Sequence, residues 1–424
     1  MSTNNKSIGL FGFGVVGQGF YNFVDREGEK RIPTVVVKSN NKQRNNNEVE
    51  YITEGDYLLQ NDNPSVIVEV INNDKEAFDI VSKALIKRKK VVSASKKLLA
   101  TRLPELLALE QQYGGTLLYE AAVAGSIPII RILNDFYIQE KIRDIKGIVN
   151  GSSNYILTKL FEGGAKYEEV LEEAKDLGFA EKDPTSDVGG FDALYKLVLL
   201  TLQGFGAIIN PDSILRVGIQ NITTEDIELA KNNELVIKQI AQAKVVNGKL
   251  ELSVLPTFVD SDSPLAKVNN EYNSVQITSD TVGQQVYSGK GAGSFPTGSS
   301  VYADVKAIDS GYRYKYKRSY LEINYESTKD VLLRLPQNYS ADILPFKTTL
   351  ITKLEDNLFY IRANEQEIRT NIDKIESLGI SLLFFDNEEL KNKLLKKIKE
   401  ETPSDLKIHR EKDKTFQLQD FSEN

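Results

Sequence analysis

Gly12-Phe13-Gly14-Val15-Val16-Gly17 restricts the fold of this chain more than any other stretch. It follows a short apolar run, Ile8–Phe11, and behind it Val16, Phe20, Phe23 and Val24 recur at helical spacing. A strand that enters such a turn and leaves as a helix uses each glycine differently. The first permits the tight turn, the second lets backbone approach a pyrophosphate, and the third lets the helix pack on the strand. The start of the helix then favours the anion. A second apolar strand, Thr34–Val37, follows about twenty residues on, as a dinucleotide-binding βαβ unit requires. Gly12, Phe13, Gly14, Val15, Val16 and Gly17 are therefore expected to hold a dinucleotide. A bare glycine-rich βα turn is the competing reading.

At the end of the second strand an acid would hold a ribose 2′-hydroxyl, whereas a cation suits a 2′-phosphate. Here the residues are Val37-Lys38-Ser39-Asn40, with Arg44 close by and no acid until Glu48. Lys38 thus leans the expectation towards NADP and leaves NAD open. The alternation continues with strands at Ser65–Val70, Val91–Ala94 and Thr116–Tyr119 and helices at Lys75–Arg88 and Pro104–Tyr113. That order describes an open, doubly wound parallel sheet of the α/β class. Ligands of such sheets sit at the carboxyl ends of the strands, and Lys96 lies at one of them, where it can face a nicotinamide.

Composition narrows the chemistry. A chain of 424 residues exceeds one ordinary core and predicts two or three domains. No apolar run is long enough to span a membrane, and the opening MSTNNKSIGLFGFG passes from a polar tail straight into a strand, unlike a signal peptide. The absence of cysteine excludes disulfides, thiolate nucleophiles and cysteine-bound zinc, and fits a cytoplasmic protein. With a net charge of −7 and no clustered basic stripe beyond Lys87–Lys90, nucleic acid is not an expected partner. The single histidine, His409, lies near the C-terminus, so a His-centred triad is excluded. Acid–base work falls to Asp, Glu, Lys or Tyr.

Those residue types concentrate in Glu181–Lys196, which holds Glu181, Lys182, Asp183, Asp187, Asp192 and Lys196 around the pair Gly189-Gly190. The segment runs directly into the apolar helix LYKLVLLTL, so its second half must be partly buried. Charges carried to a buried helix start are costly unless paired or functional, and the pattern suits a pocket for a small zwitterion. Asp192 and Lys196 are four apart and share a helix face. Spacing alone leaves them as either a surface pair or a lysine kept charged by its neighbour. Glu181, Asp183 and Asp187 are likewise readable as a solvated acidic loop, and Lys96, beside Lys97, as plain surface charge.

Further segments complete a pattern: SASK at 93–96, YEAAVAGSIPII from Tyr119, GIVNGSSNYILTKL from Gly147, AKDLGFAEKDPTSDVGGFDALYK from Ala174, and GKGAGSFPTGSSVYAD from Gly289 to Asp304. With the glycine turn, and in this order, they resemble homoserine dehydrogenases from Gly12 to about residue 318. The resemblance implies NAD(P)-linked interconversion of L-homoserine and L-aspartate 4-semialdehyde, in the route to threonine, methionine and isoleucine. It implies Lys196 as proton donor and Lys96 near substrate and nicotinamide. Asp192, one helical turn before Lys196, joins the catalytic set as the carboxylate that keeps Lys196 charged. Substrate contacts are expected from Glu181, Asp187, Asp192, Lys196 and Gly151, and further cofactor contacts from Asn72, Ser93, Lys96 and Gly291. A monovalent cation such as sodium is expected at Glu120, Val123, Gly125 and Ile127, through backbone oxygens. Three departures stand out: Ser95 replaces the usual Asn, Lys90 a common His, and Asn72-Asn73 a frequent Gly-Gly.

The expected architecture is a Rossmann-type nucleotide domain over 1–130 with about 295–318, an α+β catalytic and dimerisation domain over 131–294, and a small C-terminal α/β module over 319–424. The assembly implied is a homodimer or homotetramer. In the last part, Tyr320–Tyr325, Val331–Leu335, Leu358–Ala363 and Ile380–Phe385 read as strands, and Glu365–Leu378 and Glu388–Glu400 as helices. Many relatives carry an ACT regulatory domain there, but Asn324–Lys329 lacks the glycine of its ligand-binding turn, which counts against threonine feedback. The last dozen residues read as disordered. Two other functions remain on sequence grounds: a reductase for a related amino-acid aldehyde, and a silent nucleotide or amino-acid sensor. Retention of Lys196 with its acids argues against the sensor.

Overall fold

The computed structural model describes residues 7–29, 31–39, 49–163, 166–317, 319, 321–337, 339 and 343–401. Arg44, Glu48, His409 and the C-terminal dozen fall outside them. Six short strands form the first sheet: β1 (Ile8–Phe11), β2 (Thr34–Val36), β3 (Glu50–Ile52), β4 (Val66–Glu69), β5 (Lys90–Ser93) and β6 (Thr116–Leu118). All pair in parallel, in the order β3-β2-β1-β4-β5-β6. Ile8, Leu10, Val66, Ile67, Val68, Val91 and Val92 are buried, as strands covered on both faces must be. The strand order reverses between β1 and β4, which is where a doubly wound sheet opens a crevice for a ligand.

One helix differs from expectation in a way that matters. It spans Lys96–Tyr113 and passes through Pro104 rather than starting there. Burial of Leu98, Leu99, Leu103 and Leu106 outweighs the hydrogen bond that the proline removes. Lys96 therefore opens a helix directly behind β5.

The second sheet contains β7 (Ile142–Ile148), β8 (Leu215–Arg216), β9 (Leu235–Val246), β10 (Lys249–Asp260), β11 (Tyr272–Ser279), β12 (Gly283–Lys290), β13 (Thr328–Arg334), β14 (Thr348–Lys353), β15 (Leu358–Asn364) and β16 (Ser381–Phe385). Its order is β12-β11-β7-β9-β10-β16-β13-β15-β14, with β8 also on β10. The C-terminal strands join it where β16 pairs in parallel with β10, Thr257 against Phe384. Of the strand expected at Tyr320–Tyr325, Tyr320 lies outside the described residues and the rest shows one bridge, Leu250 to Ile323, while β14 was not anticipated. The helix expected at Glu365–Leu378 is two, Glu365–Thr370 and Ile372–Ser377.

Two helices connect the sheets. The Phe191–Phe205 helix is buried almost all round, with Leu197, Leu199 and Leu200 in the same apolar core as the strands of the first sheet. The Ser294–Asp309 helix packs on the Val15–Arg26 helix with backbone touching backbone: a Cβ on Gly298 would lie 2.5 Å from the Gly19 carbonyl carbon. Among the described residues no helix is long and apolar enough to cross a membrane.

Candidate active site

The turn after β1 has the geometry its glycines require. Gly12 has φ +101°, and a Cβ on Gly17 would meet the Gly12 carbonyl oxygen at 2.3 Å, so no side chain fits between helix and turn. Nothing lies within 4 Å of the Cβ position on Gly14, the N-cap of the Val15–Arg26 helix. That helix has no side-chain cap and no acid in its first turn, leaving its N–H groups and positive end for an anion. Val15 is exposed beside it and Phe13 packs against Tyr21 and Tyr51. The turn fits a dinucleotide pyrophosphate. Lys38 is exposed just past the end of β2.

Where the helix behind β5 meets the start of the Phe191–Phe205 helix, four charged groups and two amides come together. Asp192 is two residues into the Phe191–Phe205 helix and 2% exposed, where the helix dipole favours its charge. Its Oδ2 accepts from Lys196 Nζ at 2.6 Å and from Asn150 Nδ2 at 2.9 Å. Its Oδ1 lies 2.7 Å from Lys96 Nζ. Lys196, 7% exposed, also donates to the Val149 carbonyl at 2.6 Å. Asn150 Nδ2 donates to Asp187 Oδ1 at 2.7 Å, while its own Oδ1 caps the next helix through Ser153 N. Asn273, fully buried, donates to the same Val149 carbonyl at 3.0 Å. Lys96 and Lys196, from two helices, thus share one buried carboxylate.

The electrostatics follow from burial and this sharing. Burial pushes the Asp192 carboxyl up, but Lys196 and Lys96 together hold it well below the usual range. Burial pulls the Lys196 ammonium below its ordinary value, and Asp192 opposes this while the charge of Lys96 adds to it. Lys96, half exposed, is raised chiefly by Asp192. Asp187 is raised by burial and then by the charge of Asp192.

The remaining sequence-derived residues divide. Glu181 is exposed and acts on Lys96 only through its charge. Asp183 is exposed and accepts from Thr185, capping its own turn. Gly151 opens the helix that Asn150 caps, where a Cβ would meet the Glu271 carbonyl at 2.8 Å. Asn72 is exposed after β4, and Asn73 caps the Asp74–Ile86 helix through Lys75 N and Glu76 N, which gives a reason for asparagine at 73. Gly291 is buried against Asn273, which would be 2.1 Å from a Cβ on it. Lys90 reaches the Ile308 carbonyl at 3.0 Å, near the end of the Ser294–Asp309 helix.

Sequence reasoning missed Glu69. It ends β4, is fully buried, and accepts from Ile71 N at 2.8 Å, Ser93 Oγ at 2.5 Å and Ser95 Oγ at 2.8 Å. Burial raises its pKa against those three donors. It ties the turn after β4 to the turn that carries Lys96, and the Ser95 hydroxyl is part of that link. Ser93 is likewise fully buried and turned to Glu69. One acid inside an otherwise apolar run, SVIVEVI, was the available signal.

Around Glu120 the structure shows two buried carboxylates and one guanidinium. Glu120 accepts from Ile130 N at 2.8 Å and Arg131 N at 2.9 Å, and its own N–H donates to Asp304. Arg131 pairs with Asp304 at 2.6 Å. Burial and the charge of Asp304 push Glu120 up to about 8, and burial pushes Asp304 up to about 6. Ala124 and Gly125 take left-handed φ of +54° and +58° and turn the backbone between Val123 and Ile127. The carbonyl oxygens of Glu120, Gly125 and Ile127 each accept one hydrogen bond, from Val123 N, Ser300 Oγ and Ile129 N, which leaves each a second lone pair.

Comparison with known proteins gives a consistent result. Residues 12–120 match the family described as the NAD binding domain of homoserine dehydrogenase, and residues 128–305 the family described as homoserine dehydrogenase. The homoserine dehydrogenase of Bacillus subtilis is 38% identical over 320 residues, 72% of this chain and 73% of that protein. That of Lactococcus lactis is 36% identical over 315 residues, covering 71% and 74%. Among solved structures, the homoserine dehydrogenase of Thiobacillus denitrificans superposes with a TM-score of 0.77 at 28% identity, over 90% of this chain and 98% of that one. A hyperthermophilic archaeal homoserine dehydrogenase in complex with NADPH gives 0.64 at 27% identity, over 73% and 99%.

Proposed function

The chain belongs to the homoserine dehydrogenase family, and from that premise we propose which of its residues do the chemistry. It is an NAD(P)-dependent oxidoreductase acting on a CH–OH group, in amino-acid biosynthesis. A bound nicotinamide dinucleotide supplies or accepts the hydride. Lys196 gives the proton to the oxygen of the aldehyde carbon, and takes it back in the reverse direction. Two of its three N–H groups serve Val149 and Asp192, and among the described residues the third has no acceptor, which leaves it for the substrate oxygen. A lysine pulled below its usual pKa by burial releases a proton more readily than a surface one, while Asp192 keeps it charged enough to donate. Its positive charge also stabilises the developing alkoxide. Lys96 holds Asp192 from the nucleotide side. Asp187, raised by burial and by its neighbour, gains most from a cation, so it receives the substrate ammonium, with Glu181 adding attraction at the exposed rim. The observation that carries this reading is the 2.7 Å approach of Lys96, at the carboxyl end of the nucleotide sheet, to the same Asp192 that holds Lys196.

The Gly12–Gly17 turn holds the pyrophosphate, and the cofactor preferred is NADP. Lys38 supplies the cation suited to a 2′-phosphate, and the archaeal neighbour binds NADPH. With L-homoserine, reduced nucleotide is expected to form faster from NADP+ than from NAD+ at equal, subsaturating concentration. Lys38→Glu should raise KM for NADPH by roughly tenfold or more, the loss of about one charge-assisted contact, and leave KM for NADH near its starting value. A native preference for NADH would refute the assignment.

The backbone oxygens of Glu120, Val123, Gly125 and Ile127 are proposed to hold a monovalent cation. Burial and the charge of Asp304 drive Glu120 towards its neutral form, and a sodium ion at these oxygens would supply the positive charge that keeps both carboxylates ionised. Replacing tetramethylammonium by sodium at constant ionic strength should raise the melting temperature, by mass action on the folded state. Identical melting curves in the two salts would remove the site from the account.

A further inference from the structure

We propose that Arg216 and Glu376 are positioning residues, through which the C-terminal segment holds the start of the catalytic helix in place. Arg216 lies in β8, and its side chain is 9% exposed. Its Nη1 donates to the Gly189 carbonyl, and its guanidinium carbon sits 3.9 Å from the centre of the Phe191 ring. Gly189 and Gly190 join the helical turn Thr185–Val188, which carries Asp187, to the Phe191–Phe205 helix, which carries Asp192 and Lys196. One guanidinium thus grips the joint between the acids of the site. The same turn is held again where Ile219 N donates to the Val188 carbonyl at 2.8 Å.

The grip is closed from behind by the C-terminal segment. Glu376, on the Ile372–Ser377 helix, places Oε1 3.3 Å from Arg216 Nη1 and accepts from Gly218 N at 3.3 Å. Asn221 Nδ2 donates to the Glu376 carbonyl at 3.0 Å and to the Ile380 carbonyl at 3.2 Å. Arg369 donates to the Ser213 carbonyl. Residues 213–221 are therefore a layer between the C-terminal helices and the Gly189–Gly190 joint. A nearly buried guanidinium needs a counter-charge, and Glu376 provides it from the segment whose function the sequence left open. A small displacement of reacting groups costs catalysis far more than it costs folding, so the effect of losing Glu376 is expected in turnover.

This inference rests on the roles given to Asp187, Asp192 and Lys196. If those are wrong, Lys196→Ala remains active whatever happens at Glu376, so the two failures are separable. The test uses the full chain, measuring kcat for aldehyde reduction and, separately, the dissociation constant for NADPH by nucleotide fluorescence. Glu376→Ala should lower kcat by roughly tenfold with the NADPH constant within about twofold of native. Glu376→Gln, whose amide oxygen still accepts from Arg216 and Gly218, should keep kcat within about threefold. The double variant Arg216→Lys with Glu376→Ala should lose no more than the worse single variant, as members of one unit do. The proposal is overturned if Glu376→Ala keeps kcat within about twofold, if NADPH binding weakens as much as kcat falls, or if the single losses multiply in the double variant. Should Glu376→Ala fail to fold, Arg216→Lys alone is judged by the first two criteria.

Discussion

Lys196→Ala will lower kcat by about 10³-fold or more, since it removes both the proton donor and the charge facing the alkoxide. NADPH binding should survive, because the glycine turn is built by β1 and the Val15–Arg26 helix, neither of which carries Lys196, and Asp192 keeps Lys96 and Asn150 as partners. Lys196→Met, close in shape and without charge, separates chemistry from packing and should be equally inactive. Steady-state kinetics with nucleotide titration decides the matter. A variant turning over within tenfold of native, a loss too small for a proton donor, would end the assignment. The pH dependence has a definite sign. Reduction of the aldehyde needs protonated Lys196, so its rate falls on the alkaline side, at a lower pH than an ordinary lysine would give, because burial depresses this group.

Asp192→Asn is expected to cost about 10²-fold or more in kcat while preserving the shape of the site. The amide leaves Lys96 and Lys196 without their shared anion. Asp192 opposes the depression of Lys196, so its loss moves the alkaline limb of the reduction rate to still lower pH. Stability suffers as well, by roughly 3–5 kcal/mol, the usual effect of leaving a buried charge unpaired. The native residue has a depressed folded pKa, so its stabilising contribution is fully present above the unfolded value of about 3.9 and is lost as pH falls below it towards the folded one. The variant should lack that acid-linked component. Chemical denaturation at neutral pH and at about pH 3, below the unfolded aspartate value, measures both parts. An unmoved alkaline limb in the variant would show that Asp192 does not tune Lys196.

How much of this was legible depended on range. The glycine turn is local: a strand, three glycines at fixed offsets and a helix occupy fewer than twenty residues, so the motif predicts its own geometry. The pairing of Asp192 with Lys196 was also local, one helical turn apart. In the sequence Asn150 is visible only inside its motif, because an amide bridging two carboxylates has no spacing signature. The sequence reads as helix only from Pro104 onward, because a proline marks a helix start, whereas burial carries the helix from Lys96 through that position. The putting together of β10 with β16 was invisible, since parallel pairing across distant residues leaves no mark on either strand.

Sequence by itself determined the nucleotide turn, the parallel alternation, and the restriction of acid–base chemistry to carboxylates, lysines and tyrosines in a chain whose only histidine is His409. Tertiary structure alone decided which charges of Glu181–Lys196 face inward, that Lys96 meets Asp192, and that Arg216 and Glu376 grip the joint beside them. The reason is physical. Helical spacing fixes which side chains share a face, but burial, and with it the depressed lysine and the shared carboxylate, exists only once distant elements exclude water together.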